Sequence, residues 1–299
     1  MTIKQLLIFT RTPLHVGAGA SVGAIDQPIQ RERHTGFPVI PASSLKGSFA
    51  DHWNDALQAE SNGKKVRVTQ SGEGSVPAWL FGSDSDKDAF AGSLIFSEAR
   101  VLAFPVRSAK GSFAWITCPL MLQRAKRDGV ISSAIPPEPS QDDHVILQTE
   151  GPLALGQQVV LEDYCLSAQG PYPADLANEI ADLMPTEEVF QSIKDRLVIL
   201  TNGMMSHFAT TACEVAQHVR ISDETGTAEG TGLFNQENVP ADTLFYSILG
   251  ANHGRGKGEV RTANEALVEV RAKIDSSEVF QFGGDASTGL GFCTVTLKS

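Results

Sequence analysis

The sequence predicts an α+β fold, a ferredoxin-like sheet carrying long insertions, and three observations point there. Strand-like and helical runs follow one another as strand, helix, strands, helix, strands, without the strict alternation of a doubly wound fold. The first run, Ile3–Thr10, is rich in apolar and β-branched residues and reads as a strand. The next, from Ser43, spaces Leu45, Phe49, Trp53 and Leu57 four residues apart, along one face of a helix.

The elements follow in chain order. Pro13 ends the first strand. Gly17-Ala18-Gly19-Ala20-Ser21-Val22-Gly23 is too rich in glycine for a regular element. Asn62-Gly63 closes the Ser43 helix, and Lys64–Ser75 reads as a loop or exposed hairpin. Strands are expected at Ser93–Phe96, Arg100–Val106, Val145–Gln148, Val159–Cys165 and Leu197–Leu200. Short helices are expected near Pro119–Arg127, Ala174–Leu183 and Glu187–Lys194. Val215–Phe234 reads as a hairpin turning at Asp223-Glu224-Thr225-Gly226. An apolar run at Thr243–Leu249 and a helix at Ala263–Lys273 come next. Strands at Val279–Phe282 and Phe292–Leu297, on either side of a glycine turn, complete the chain. Nothing repeats at 20–50 residues, which excludes a solenoid.

Composition narrows the function. The 299 residues are 41% hydrophobic and 20% charged, the balance of a globular protein with a sizeable core. No apolar run nears the roughly 18 residues that span a bilayer, and Met1–Gln5 lacks the basic-then-apolar start of a secretory signal. No membrane partner and a cytoplasmic setting are therefore expected. Cys118, Cys165, Cys213 and Cys293 are scattered with no Cys-x-x-Cys pair. That argues against a zinc site or disulfide framework and for buried packing roles. The net charge of -11 argues against nucleic acid for the surface as a whole. Residues 1–70, however, hold eight Lys/Arg against five Asp/Glu, and the remainder 16 against 30. A local basic face is compatible with RNA.

Within that basic part, Gly17-x-Gly19-x-x-x-Gly23 lacks the spacing and the following helix of a dinucleotide loop, and there is no Walker motif. Pro41-Ala42-Ser43-Ser44-Leu45-Lys46-Gly47 carries more. Ser43 or Ser44 suits an N-cap, leaving free amides at the helix start. Lys46 then sits at the positive end of the helix dipole. Gly47 inside a helix costs about 1 kcal/mol relative to alanine. Both features make sense if a phosphate docks on the amides, hydroxyls and ammonium, with glycine letting its backbone come close. The bland alternative is a capped helix with an indifferent lysine. Between the two motifs, Asp26 sits on irregular backbone before Pro28, and in an extended segment Arg31 and Arg33 would point to one side.

Read together, Val16-Gly17-Ala18-Gly19, Val22-Gly23-Ala24-Ile25-Asp26, Pro28-Ile29-Gln30-Arg31-Glu32-Arg33-His34-Thr35-Gly36 and Pro41–Gly47 resemble the RAMP superfamily. Within it they are most similar to the repeated backbone subunits of the type III-B CRISPR Cmr effector complex. The likeness continues through Leu80-Phe81-Gly82-Ser83, Phe104–Ser108, Lys110-Gly111, Val219-Arg220-Ile221, Thr243–Tyr246 and Gly283–Gly291, in order along the chain. The Gln30–Gly36 block favours type III-B over the related type III-A backbone subunits.

The resemblance implies a single RAMP domain over residues 1–299, an RRM-like palm. It carries a projecting β-hairpin thumb near 213–236 and smaller insertions near 62–76 and 128–145. Copies of the chain would stack in a filament along a CRISPR guide RNA, beside other Cmr subunits, each thumb pressing into the guide–target duplex. Complementary target RNA would be cut at regular intervals with a divalent metal present. The essential aspartate of the family precedes the Pro-Ile-Gln-Arg block, which here makes it Asp26. Gly17, Gly19, Arg31, Arg33, Ser43, Ser44, Lys46 and Gly47, with Gly283, Gly284, Gly289 and Gly291, are the expected RNA contacts. An aspartate is a weak general base at neutral pH. Asp26 is therefore expected to hold a hydrated Mg²⁺ or Mn²⁺, through water, near the scissile phosphate. His15 and Glu237 are candidate acid–base partners. The likeness is weakest at Thr201–Thr211, so Met204, Met205 and His207 receive no role. The competing reading is a non-catalytic RNA-binding scaffold subunit of a type III complex. A metabolic enzyme would need a Ser/His/Asp or cofactor motif that the sequence lacks.

Overall fold

Leu6, Leu7, Ile8 and Phe9 are all buried, an uninterrupted run that a strand carries only when both faces of its sheet are covered. The computed structural model describes residues 1–299 apart from 22, 54–58, 62–63, 67–74, 84–88, 257 and 299, and only the backbone of 59–61, 64–66 and 229–231. In it this strand, Thr2–Thr10, lies inside a large mixed sheet of twelve strands. Leu6 and Ile8 enter one apolar cluster while Leu7 and Phe9 enter another, as the two-residue period of a strand dictates. The α+β class holds.

Thr2–Thr10 pairs antiparallel with Leu244–Ala251 on one side and with Phe292–Leu297 on the other. Leu244–Ala251 pairs antiparallel in turn with Ala99–Ser108. Two helices join these four strands, Ala42–Asp51 after the first and Ala263–Asp275 after the third. Both bury their apolar residues in the same cluster: Leu45 and Phe49 from one, Ala266, Leu267, Val270 and Ile274 from the other. The Phe49 ring centroid lies 5.1–5.8 Å from those of Phe96, Phe280 and Phe282. Burying such a ring contributes about 1.5–3 kcal/mol. The second helix opens in a capping box, in which the Thr262 and Glu265 side chains bond each other's backbone amides. Pro119–Arg127 and Ala174–Ala181 pack largely into the second cluster, through Leu122, Ala125, Leu176 and Ile180.

Several elements depart from their expected limits. The first helix begins at Ala42 and ends at Asp51, with Pro41 as its N-cap and no side-chain cap bond. Ser43 and Ser44 are therefore inside the helix, and neither is the cap. Leu57 and Asn62-Gly63 lie outside the described residues, and Ala59–Ser61 is already strand, paired with Lys64–Val66. The helix does not run to Asn62. Val159–Cys165 is two strands, Gln158–Leu161 and Tyr164–Ala168, reversed next to Glu162, whose φ is 49°. Val145–Gln148 shrinks to His144–Val145, and Glu187–Lys194 divides into Glu188–Gln191 and Ile193–Arg196. The strand Ser112–Thr117 and the helix Asn202–Thr211 were not anticipated. Cys118 and Cys293 are buried, but Cys213 is half-buried and Cys165 exposed, so the packing role expected of all four suits two.

Glu214–Ile221 and Ala228–Asn238 form a separate two-stranded antiparallel hairpin. Its turn is closed by Ser222 N–H donating to Thr227 O and Gly226 N–H donating to Ser222 O, both at 2.9 Å. Among the described residues no helix is long and apolar enough to cross a membrane.

Candidate functional site

The second hairpin strand ends in Gln236, Glu237 and Asn238, all buried. The glycine segment packs beside it. Ala18 N–H donates to Pro28 O and Gln30 N–H to Val16 O, both at 2.8 Å. These two legs hold residues 19–27 as a loop whose described members are mostly exposed. The returning leg runs parallel to the hairpin strand: Gln27 N–H donates to Asn235 O at 3.1 Å, and Glu237 N–H to Gln27 O at 2.9 Å. Loop and hairpin base are thus one hydrogen-bonded unit.

Asp26 is exposed at the top of that unit. Its Oδ2 accepts from Asn235 N–H at 2.9 Å, and its own N–H donates to Asn235 Oδ1 at 2.8 Å. Sequence reasoning passed over Asn235, whose partner lies 209 residues away; no local pattern could have flagged it.

His15 is only 7% exposed. Its Nδ1 lies 2.7 Å from Glu237 O, and because a carbonyl only accepts, Nδ1 carries the hydrogen. The other nitrogen, Nε2, lies beneath Gly17, where a Cβ would come within 2.9 Å of it. Gly284 N–H donates to His15 O at 2.9 Å, and a Cβ on Gly283 would stand 2.2 Å from the same oxygen. His15 is therefore wedged between hairpin base, glycine loop and C-terminal loop.

Two expectations fail on geometry. Glu237 is 3% exposed; its Oε1 pairs with Arg31 Nη2 at 2.6 Å and its Oε2 accepts from Ile29 N–H at 3.1 Å. It is a buried clamp, with neither oxygen left to serve as a catalytic acid. Arg31 spends its guanidinium internally as well, on Glu237, Gly36 O, Ala209 O and Cys213 Sγ. It is not a phosphate contact. The segment also turns at residues 33–35 instead of extending, closed by Gly36 N–H donating to Glu32 O at 2.9 Å. Arg33 is consequently exposed while Arg31 points inward.

The helix start stands apart from this unit. Leu45 N–H makes the first intrahelical bond, to Pro41 O at 3.0 Å, so the amides of Ala42, Ser43 and Ser44 precede it. Ser43 and Lys46 are exposed and, with Gly47, line an open pocket of about 430 Å³ whose far wall includes Phe81, Gly82 and Phe90. Among the described residues, a Cβ on Gly47 would meet nothing within 4 Å, so none of them requires the glycine. The terminal glycines divide. A Cβ on Gly291 would lie 1.9 Å from Phe282 O, whereas Gly289, like Gly19, faces open space at positive φ. Gly283 and Gly291 are thus explained by packing. Gln236 Nε2 donates to Asp285 Oδ2 at 2.6 Å, tying this loop to the hairpin.

Among the described residues no group of three or more His, Cys, Asp or Glu is placed to hold a metal ion. Asp26 offers one carboxylate, a donor set that fits a hydrated ion shared with a bound phosphate and not a resident site.

The RAMP superfamily matches residues 8–294. The chain is 32% identical to the CRISPR system Cmr endoribonuclease Cmr4 of Pyrococcus furiosus over 297 residues, 97% of this chain and 94% of that one. The crystal structure of oligomeric Cmr4 from Pyrococcus furiosus matches with a TM-score of 0.70 at 27% identity, covering 100% of this chain and 98% of that one. The type III-B Cmr-beta bound to cognate target RNA matches with a TM-score of 0.70 at 18% identity, covering 99% and 97%, a likeness of fold alone.

Proposed function

The chain belongs to the RAMP superfamily, and from that premise we propose that it is a backbone endoribonuclease subunit of a type III-B CRISPR complex, cutting target RNA beside Asp26. The observation that carries this reading is the placement of Asp26: an exposed carboxylate on a loop hydrogen-bonded to the base of the hairpin.

The palm is RRM-like on this reading. Its four central strands stand in the order second, third, first, fourth, all antiparallel, with two helices on one face. The chain is one domain over 1–299, the hairpin near 213–236 is the thumb, and 128–145 is a lesser insertion. The insertion near 62–76 falls largely outside the described residues. Guide RNA runs along Ser43, Ser44, Lys46 and Gly47: Ser43, Lys46 and Gly47 line an open pocket on the flank of the helix, and the amides of Ala42, Ser43 and Ser44 at its start offer further donors to phosphate. Arg33, Gly17, Gly19, Gly284 and Gly289 are the remaining backbone contacts. Complementary target RNA, copies of the chain in a filament and other Cmr subunits are the partners, in the cytoplasm.

Cleavage needs the 2′-oxygen of the target in line with the departing 5′-oxygen. A thumb that splays the duplex imposes that geometry, and positioning of this kind supplies much of the rate. Asp26 presents its carboxylate where the splayed strand passes. Asp26 would hold a hydrated Mg²⁺ or Mn²⁺, which would supply charge neutralisation at the scissile phosphate. His15, buried with its Nδ1–H on Glu237 O, fixes the shape of the floor, and only its Nε2 beneath Gly17 remains for acid–base work.

The test is the assembled particle with labelled complementary RNA and Mg²⁺. Evenly spaced cuts that vanish on chelation and in Asp26→Asn, with guide binding and assembly intact, are expected. Wild-type cutting by Asp26→Asn would remove that residue from the site, and intact RNA with the wild-type particle would leave a scaffold.

A further inference from the structure

Asp26 belongs to a loop whose neighbours are small or exposed, and a carboxylate on such a loop has no packing to orient it. The orientation comes from one residue across the chain. Besides accepting from Gln27 N–H through its backbone carbonyl, Asn235 makes three hydrogen bonds to Asp26 and Ala24. Its Oδ1 accepts from Asp26 N–H at 2.8 Å, its own N–H donates to Asp26 Oδ2 at 2.9 Å, and its Nδ2 donates to Ala24 O at 3.0 Å. The first and third come from the side chain and grip the loop backbone on both sides of Ile25. The second ties down the carboxylate itself, through Oδ2. On the same hairpin face, Glu237 holds the following residues through Ile29 N–H and Arg31. The loop is thus anchored at two points two residues apart along one strand, since i and i+2 side chains share a face.

We infer that Asn235 is a positioning residue for cleavage: its side-chain amide fixes the loop backbone at Ala24 and Asp26, which keeps the Asp26 carboxylate against the hairpin and at a fixed distance from the strand that opens the duplex. This rests on the catalytic reading of Asp26. Asn235 touches no reacting atom and works only through Asp26.

The experiment uses the assembled complex with guide and target. Asn235→Ala keeps the backbone N–H to Asp26 Oδ2 but removes both side-chain bonds. At saturating target, its single-turnover cleavage should fall about 10–100-fold, the scale on which a misplacement of about 1 Å acts, while target affinity stays within about twofold. Hydrogen exchange on the same complex should show faster exchange at the Asp26 amide, with hairpin amides unchanged. Wild-type cleavage by Asn235→Ala, or a rate loss matched by an equal loss of target affinity, overturns the inference. An Asp26 amide unprotected in the wild-type protein does the same. If Asp26→Asn itself cuts normally, the catalytic reading fails first. An inactive Asp26→Asn beside a fully active Asn235→Ala defeats the positioning role alone.

Discussion

Arg31 and Arg33 show what a residue type alone leaves undecided. Two arginines one residue apart look equivalent, yet the turn at 33–35 sends one into a half-buried clamp with Glu237 and leaves the other in solvent. Which way each points depends on Ala209 and Cys213, far away in the chain. Glu237→Ala removes the partner of that arginine, and breaking such a buried pair costs about 3–5 kcal/mol. A matching drop in the urea midpoint is expected; wild-type stability with lost cutting would return Glu237 to the catalytic group. Lys46 presents the opposite case, exposed beside a helix start and a pocket. Replacing it by glutamate should weaken guide binding and reduce the slope of log affinity against log salt by about 0.7, the share of one contact to single-stranded RNA. A slope unchanged from 50 to 200 mM salt would deny it a phosphate contact. Asp26 and Lys46 could be proposed because they stand in motifs read along the chain. Asn235 could not be, because its contacts exist only once residues 26 and 235 meet.

Elements were legible where their signals are local. Pro119–Arg127 has proline in its first turn and apolar residues at helical spacing, and its limits were read correctly. Asn202–Thr211 carries Gly203, Thr210 and Thr211, poor helix formers, and is held instead by its Thr201 cap and the burial of Met205 and Phe208. The Gln158–Ala168 hairpin hides its reversal in Glu162, an unusual residue at positive φ. The C-terminal glycine loop allows a direct comparison. At Gly289 an added Cβ meets nothing, so Gly289→Ala should cost only the left-handed backbone penalty of about 1–2 kcal/mol. Gly291→Ala adds a collision with Phe282 O to a similar φ. Thermal melts should therefore separate the two, with Gly291→Ala the lower; equal melting temperatures would mean that the Phe282–Gly291 approach relaxes freely.

Across the whole molecule, acid sensitivity follows from where the carboxylates sit. Burial pushes Glu179 up, but hydrogen bonds from Ser133 and Ser132 outweigh it and bring the group to about 2 from an ordinary 4.5. Glu259 is also held at about 2, chiefly by the hydrogen bonds that Arg261 donates to it. Glu32 is lowered too: burial opposes the change, and Thr35 and Arg124 overcome it. A carboxylate with a depressed folded value stabilises the fold above its unfolded value and loses that contribution as pH falls toward the folded one. Glu214 and Asp242, raised by burial, act in the other direction. The urea midpoint should decline as pH falls from 4.5 to 2. A flat profile over that window would count against the depressed values of Glu179 and Glu259, because the raised pair acts mainly at higher pH.

The central strand also has a history in time. Leu6–Phe9 leaves the ribosome before either of its neighbours exists, since these come from residues 244–251 and 292–297. Until the last of them emerges, a run of four apolar residues has two unpaired edges, able to template pairing with other nascent chains. For this strand, synthesis itself is the interval of greatest exposure. Shielding of the nascent chain by a chaperone would then govern yield more than the stability of the finished fold.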